Sequence, residues 1–274
     1  MPHRKAAGTA DTATIEQTVT GPEDLGRDPP AFSVLRPDGA SSFFLVCDHA
    51  GRRIPRGLTN LGLAAADLES HIAWDIGALG LAACLSQALD AILVAQTYSR
   101  LVIDCNRPPG SAESIVARSA GVPVPGNGEL SAAEVQARAD TIFHPYHDRI
   151  RQEVSRRQYE SQPTILVALH SFTPVFAGRS REWHAGVLAL RDRRMADPML
   201  LLLREERTLV VGDNEPYAAS ELTDFTIVHH AEQRGAPYIE LEVRQDLIAD
   251  EGGREEWAER FARLLVRASA TFHF

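Results

Sequence analysis

Two apolar runs in this chain end in a histidine: Phe43-Phe44-Leu45-Val46-Cys47-Asp48-His49 and Thr164-Ile165-Leu166-Val167-Ala168-Leu169-His170. Imidazole ligates metals and carries protons near neutral pH. Two imidazoles and a third protein ligand, with a fourth position left open, are what a catalytic zinc requires. The third ligand must be an acid or another histidine, and the segment His71-Ile72-Ala73-Trp74-Asp75 offers both. His71 and Asp75 are four apart, as on one helical face; Asp75 is the preferred ligand and His71 the alternative. A compact His-x-x-Glu pair is absent, because Arg52 stands three residues after His49. Asp48 is read either as a carboxylate that orients an imidazole through its free ring nitrogen or as a turn residue. His144, His147, His229 and His230 are read as structural residues on surface helices.

A hydrolytic metal site also needs a base that takes a proton from water and returns it to the leaving amine. Glu242 suits this role. It lies in the alternating run Tyr238 to Arg244, where Tyr238, Glu240, Glu242 and Arg244 share one face and Ile239, Leu241 and Val243 the other. A rigid strand and apolar surroundings would raise its pKa towards working pH. The plainer alternative is an ion pair with Arg244. Arg100, Asn106 and Arg107 can grip a carboxylate, since guanidinium presents a two-pronged fork, although Asp104 could instead neutralise one of these arginines.

These side chains sit where apolar runs stop, which points to a common sheet edge. A short run that is almost wholly apolar suits a strand buried on both faces of a mainly parallel sheet, and ligands gather beyond the carboxyl ends of such strands. Strands are expected at Phe43–Cys47, Ala91–Ala95, Leu101–Ile103, Ile165–Leu169, Val187–Leu190 and Pro237–Val243, and a short strand or extended piece at Leu209–Val211. Helical spacing runs through Leu68–Ala91, with Ile72, Ile76, Leu79, Ala83 and Leu85 near one face. Ser131 with Glu134 forms a capping box for a helix that continues towards Tyr159, with Pro145 kinking or dividing it. Further helices are expected around Pro198–Arg207, at Thr226–Arg234 with a Gly235 cap, and at Glu255–Ala268. Strands alternating with helices define the class as α/β, a single domain with a central mixed, mainly parallel sheet flanked by helices.

The 274 residues, 44% hydrophobic and 24% charged, suffice for one large domain. The expected division is a flexible N-terminal arm over residues 1–30, rich in Gly, Thr, Ala, Asp and Pro, and one domain over 31–274. A net charge of -9 argues against nucleic acid or an anionic membrane as partner. The start of the chain lacks the apolar stretch of a secretory signal, and no segment approaches the ~20 apolar residues of a membrane span. Cys47, Cys84 and Cys105 have no ligand-like spacing and read as reduced thiols of a cytoplasmic protein. A homo-oligomer is compatible with all of this.

The blocks Asp48-His49-Ala50-Gly51-Arg52-Arg53-Ile54-Pro55, His71-Ile72-Ala73-Trp74-Asp75, Ser99-Arg100-Leu101-Val102-Ile103-Asp104-Cys105-Asn106-Arg107-Pro108, Leu169-His170-Ser171-Phe172-Thr173-Pro174 and Glu242-Val243-Arg244, taken in order, resemble the N-formylglutamate amidohydrolase family. The resemblance covers about Phe43 to Leu247. It implies a phosphorylase/hydrolase-like fold similar to the zinc carboxypeptidases, one zinc ion, and hydrolysis of an N-acyl amino acid, with N-formyl-L-glutamate giving formate and L-glutamate. It further implies that Asn106 and Arg107 hold the substrate carboxylate and that Glu242 is the base. On this reading His49, His170 and Asp75 hold the zinc, Arg100 steadies the oxyanion, and Arg244 joins the substrate-binding set. Two departures point to a side branch of the family: Asp48 stands where proline precedes the first histidine in histidine-degradation members, and the motif around Arg244 differs. Two rival readings are a cysteine-dependent amidase built on Cys47 or Cys105 with His49, and a non-enzymatic carboxylate-binding α/β domain.

Overall fold

A computed structural model describes residues 28–270 and 272, so the expected arm over 1–30 falls outside the described residues except for its last three positions. The elements run β1 Phe32–Leu35, β2 Phe43–Cys47, α1 Ala65–Leu68, α2 Ala78–Leu89, β3 Ile92–Gln96, β4 Arg118–Ser119, β5 Val122–Pro123, α3 Ala132–Arg138 and α4 His144–Tyr159. They continue with β6 Ile165–Phe172, β7 Val175–Phe176, β8 Arg179–Ser180, β9 Ala185–Leu188, α5 Ala196–Glu205, β10 Val211–Asp213, α6 Phe225–His230, β11 Tyr238–Arg244 and α7 Glu251–Ser269.

Seven strands form one sheet in the order β1-β3-β2-β6-β11-β9-β10, while β4–β5 and β7–β8 are small separate hairpins. The four central strands β3, β2, β6 and β11 are mutually parallel, β1 and β9 meet this core antiparallel, and β10 runs parallel to β9. Strands β2, β3 and β6 are buried along their whole length, which is why their sequences read as unbroken apolar runs. Helix α7 packs on α2 and α5, while α4 and α6 form a second group against the sheet. The architecture is the mixed, mainly parallel α/β sheet flanked by helices that the sequence pattern implies.

Five local expectations are corrected. Leu101–Ile103 is not a strand: it is a buried turn whose carbonyls are capped by side chains, Asn127 Nδ2 on Leu101 at 2.8 Å and Arg138 Nη1 on Val102 at 2.9 Å. Apolar burial therefore did not require a strand partner there. The helical pattern of Leu68–Ala91 is broken into α1, a run of turns and α2, so His71 and Asp75 do not share a helical face. Gly77 begins α2 at φ 83°, and a Cβ there would lie 2.4 Å from the Ile248 carbonyl oxygen, so only glycine fits the junction. Finally, β6 does not stop at His170 but continues to Phe172, which fixes the His170 side chain within a strand. The extended piece near Leu209 pairs two residues later, as Val211–Asp213, and the strand expected at Val187–Leu190 pairs two residues earlier, as Ala185–Leu188.

Other signals hold as read. The Ser131–Glu134 capping box is formed, a π turn over Ala139–Phe143 separates α3 from α4 just before Pro145, and Gly235 takes the left-handed conformation at φ 65°.

Candidate active site

The site forms at the carboxyl ends of the parallel strands. His49 follows β2 by two residues, and its carbonyl accepts the Asp75 N–H at 3.0 Å, which brings the turn before α2 alongside. The register of β6 and β11 sets Glu242 directly beside His170. Three carboxylates then sort the two imidazoles. Asp75 Oδ2 lies 2.8 Å from His170 Nδ1 and 3.4 Å from His49 Nδ1, so both rings turn the same nitrogen towards one oxygen. The far nitrogens are addressed separately: His49 Nε2 is 2.7 Å from Asp104 Oδ1, and His170 Nε2 is 3.4 Å from Asp48 Oδ2. Asp48 is in turn held by the Thr226 hydroxyl at 2.7 Å.

His49, Asp75 and His170 are all buried, and their ligating atoms lie within 4.8 Å of one another. This group could hold a metal ion. The fit is supported by the surroundings: His49 Nδ1, His170 Nε2, Asp48 Oδ2 and Glu242 Oε2 are buried without a hydrogen-bond partner, and Asp104 bonds the far nitrogen of His49 as a carboxylate that orients metal-bound histidine does. Asp48, open between turn and orienting residue in the sequence, stands behind His170. His71 lines the same cavity but does not belong to the three-residue group.

The electrostatics follow from burial set against these contacts. Burial alone would raise Asp75, but His49 and His170 hold it well below the usual carboxylate range. Asp104 is likewise held low, burial being outweighed by Arg100 and His49. Glu242 has no such cation in contact; burial, reinforced by the Asp75 carboxylate and only partly offset by His170, pushes it up to about 7. Glu240 is pushed far up by burial, with the Asp224 carboxylate adding to the effect. Cys47 and Cys105 are buried and their thiols are driven up by desolvation, which removes the thiolate a cysteine nucleophile needs.

A cavity of about 700 Å³ opens over this edge, walled by His49, Asp75, Arg100, Asn106, Arg107, His170, Glu240 and Glu242 below and by parts of both hairpins above. The arginines in and around it differ in what they are bound to. Arg100 forks Asp104 Oδ2 at 3.0 and 2.7 Å and stands 3.7 Å from Asp75 Oδ1. Arg107 pairs with Glu113 at 3.3 Å and donates to the carbonyls of Asn106 and Thr223. Asn106 Oδ1 accepts the Thr226 N–H at 3.0 Å, which leaves its amide NH₂ as the remaining donor. Arg244 is not a wall of the cavity: it pairs with Asp246 at 2.8 Å and reaches the Arg181 and Trp183 carbonyls, tying that loop to β11. It does not pair with Glu242.

Sequence reading missed Asp104 as the partner of His49, since 55 residues separate them and only the fold brings them together. It noted Glu240 only as sharing the face of Glu242, where the strand alternation was in fact sufficient to place it on the cavity wall. The two hairpins gave no signal, being strands of two residues each.

An α/β domain of the hydrolase type, with a buried His-Asp-His group and an unpaired acid at the carboxyl edge of its sheet, is what fold and site define. Residues 41–249 match the family model described as N-formylglutamate amidohydrolase, and the chain belongs to that family. Among solved structures, the gene product Atu2144 from Agrobacterium tumefaciens is 39% identical at a TM-score of 0.86, covering 89% of this chain and 96% of its own. An N-formylglutamate amidohydrolase from Ralstonia eutropha JMP134 is 21% identical at a TM-score of 0.58, covering 88% of this chain and 96% of its own, and so shares the fold. No curated protein matches the sequence. Among the described residues, no helix is long and apolar enough to cross a membrane.

Proposed function

We propose that this protein is a zinc-dependent amidohydrolase that cleaves the amide bond of an N-acyl amino acid, with N-formyl-L-glutamate, yielding formate and L-glutamate, as the leading substrate. The observation that carries the proposal is the pairing of a buried His49–Asp75–His170 group with a neighbouring Glu242 oxygen that has no hydrogen-bond partner. His49 and His170 would hold the ion through the nitrogens they turn towards Asp75, with Asp75 as the third ligand. A zinc ion bound there supplies Lewis acidity to the amide carbonyl and acidifies water.

The remaining roles belong to the chain. Glu242 takes a proton from the attacking water and returns it to the leaving nitrogen, a role suited to a carboxyl that burial brings near neutral pH. Arg100, fixed by Asp104, steadies the negative charge that develops on the carbonyl oxygen. Asn106 and Arg107 hold the amino-acid α-carboxylate. Asp104 and Asp48 keep the two imidazoles in one orientation and one tautomer. The three unpaired cysteines support a reducing, cytoplasmic setting.

The test is a panel of N-formyl, N-acetyl and larger N-acyl amino acids assayed with and without added zinc. Zinc-dependent release of free amino acid, favouring acidic substrates, is expected. Absence of hydrolysis across the panel with zinc bound would overturn the proposal.

A further inference from the structure

Arg181, immediately after β8, is set apart from the other arginines around the cavity by its partners. Its guanidinium carbon lies 4.7 Å from the ring centre of Tyr217, 4.8 Å from that of Phe176 and 5.8 Å from that of Phe172. Nη1 donates to the Tyr217 hydroxyl at 2.9 Å and approaches the Thr173 carbonyl at 3.5 Å. All three rings and Thr173 are cavity walls, so the cation stands directly behind the lip of the cavity. His71, another wall residue, is held below its ordinary pKa by burial and then by Arg181, which shows that the charge is felt inside.

Arg100, Arg107 and Arg244 are each neutralised by a carboxylate of the protein. Among the described residues, Arg181 has no carboxylate within ion-pair distance, and its Nε and Nη2 donors make no hydrogen bond. An arginine packed against aromatic faces presents its donor edge at little further entropic cost. The Tyr217 oxygen already accepts from Arg181, so its own O–H is left to donate. Burial, together with the nearby Glu242 carboxylate, keeps that phenol protonated. The floor below is carboxylate-rich, so an anionic group of a substrate would settle at this lip and not beside Glu240 or Glu242.

We propose that Arg181 and Tyr217 form a second anion subsite that takes the side-chain carboxylate of an acidic N-acyl amino acid, while Asn106 and Arg107 take the α-carboxylate. This rests on the amidase reading given above. It makes Arg181 the residue that separates a glutamate side chain from its uncharged, equally large amide. Arg118, on the opposite hairpin, also lacks an acid among the described residues, but it is exposed and bonded to its own hairpin at Gly121, so it is the natural comparison.

The experiment measures kcat/KM for N-formyl-L-glutamate and N-formyl-L-glutamine, and calorimetric binding of N-acetyl-L-glutamate and N-acetyl-L-glutamine, in the wild type, Arg181→Ala, Arg181→Lys and Arg118→Ala. A charge-assisted contact predicts that Arg181→Ala lowers the glutamate-to-glutamine preference by about 10- to 100-fold, with the glutamine compounds changed by less than ~3-fold. Arg181→Lys should restore part of the preference, and Arg118→Ala should leave it intact. The subsite is overturned if the wild type shows no preference, if Arg181→Ala weakens both compounds equally, or if Arg118→Ala alone abolishes the preference. Arg181-dependent binding without any turnover would uphold the subsite and sink the amidase reading. Turnover with unchanged preference in Arg181→Ala would do the reverse.

Discussion

Two buried histidine pairs lie among the described residues, and they have opposite characters. His49 and His170 stand with ring centres 4.9 Å apart, and His147 and His230 with ring centres 5.2 Å apart, all four almost fully enclosed. Around the first pair lie Asp48, Asp75 and Asp104. Around the second lie Phe143, Phe225 and a single backbone carbonyl. Burial pushes His170 down, yet Glu240, Asp48 and Asp75 more than reverse it and hold the imidazole well above its ordinary value. With no carboxylate in contact, burial takes His147 down to about 4 and His230 to about 2. Enclosure alone makes an inert, neutral imidazole; what prepares one for chemistry is the carboxylate placed behind it.

The sharpest break of this contrast is removal of a group from the first pair's cluster. His170→Ala and Asp75→Ala should each lose bound zinc, measured by elemental analysis after mild purification, and lose measurable turnover. His230→Gln should retain both. Retained zinc in His170→Ala would mean that the ion sits elsewhere. Next in size is Glu242→Gln, which should keep the metal while turnover falls by ~10²- to 10⁴-fold, the usual contribution of a positioned base. The wild-type pH profile carries the same information. Glu242 accepts a proton only when ionised, so kcat/KM should rise with pH through an inflection at or below about 7, since a bound cation can only lower the value set by burial. That limb should vanish in the glutamine variant.

A smaller effect is expected one step behind the ligands. Asp104→Asn keeps the shape but weakens the hold on His49 Nε2, so zinc affinity should fall by ~10- to 100-fold, read by competition with a chelator. Unchanged affinity would show that Asp104 serves Arg100 alone.

The contrast also explains which parts of the molecule could be read from the sequence. His49, His170 and Glu242 were legible because each sits in or just past an apolar run, and the run itself encodes a buried parallel strand. The Ser131–Glu134 cap was legible because its bonds are local. The turn at Leu101–Ile103 was not, since its apolar residues signal burial while its carbonyls are satisfied by Asn127 and Arg138 from later in the chain. His71 and Asp75 suggested a helix through their spacing, but α1 ends at Leu68 and the chain runs through turns until the left-handed Gly77 starts α2. His147 looked like a surface residue because α4 is strongly polar, and only the packing of α6 against it encloses the ring. Arg181 depends on rings that come from β6, a two-residue hairpin strand and a distant loop, a combination that no local pattern carries.

The second pair yields the smallest predicted effect and the cleanest sign. A carbonyl can only accept, so the 2.8 Å contact with Cys105 O places a proton on His147 Nε2. His147 Nδ1 must then accept from His230 Nε2–H at 3.0 Å, which leaves His230 Nδ1 buried without a partner. Both rings are neutral, and protonating His147 would aim two N–H groups at each other. In the unfolded chain each histidine titrates near ~6.5, so between that pH and about 4 the unfolded state binds protons that the folded state refuses. Stability therefore falls as pH falls through this window, by about 1.4 kcal/mol per pH unit for each such histidine. Urea unfolding of the wild type and of His230→Gln at several pH values from 6 to 4.5 should give slopes that differ by about that amount, the variant being less acid-sensitive. Equal slopes would mean that His230 takes up its proton in the folded protein, and the distinction between the two pairs would then not rest on their carboxylates.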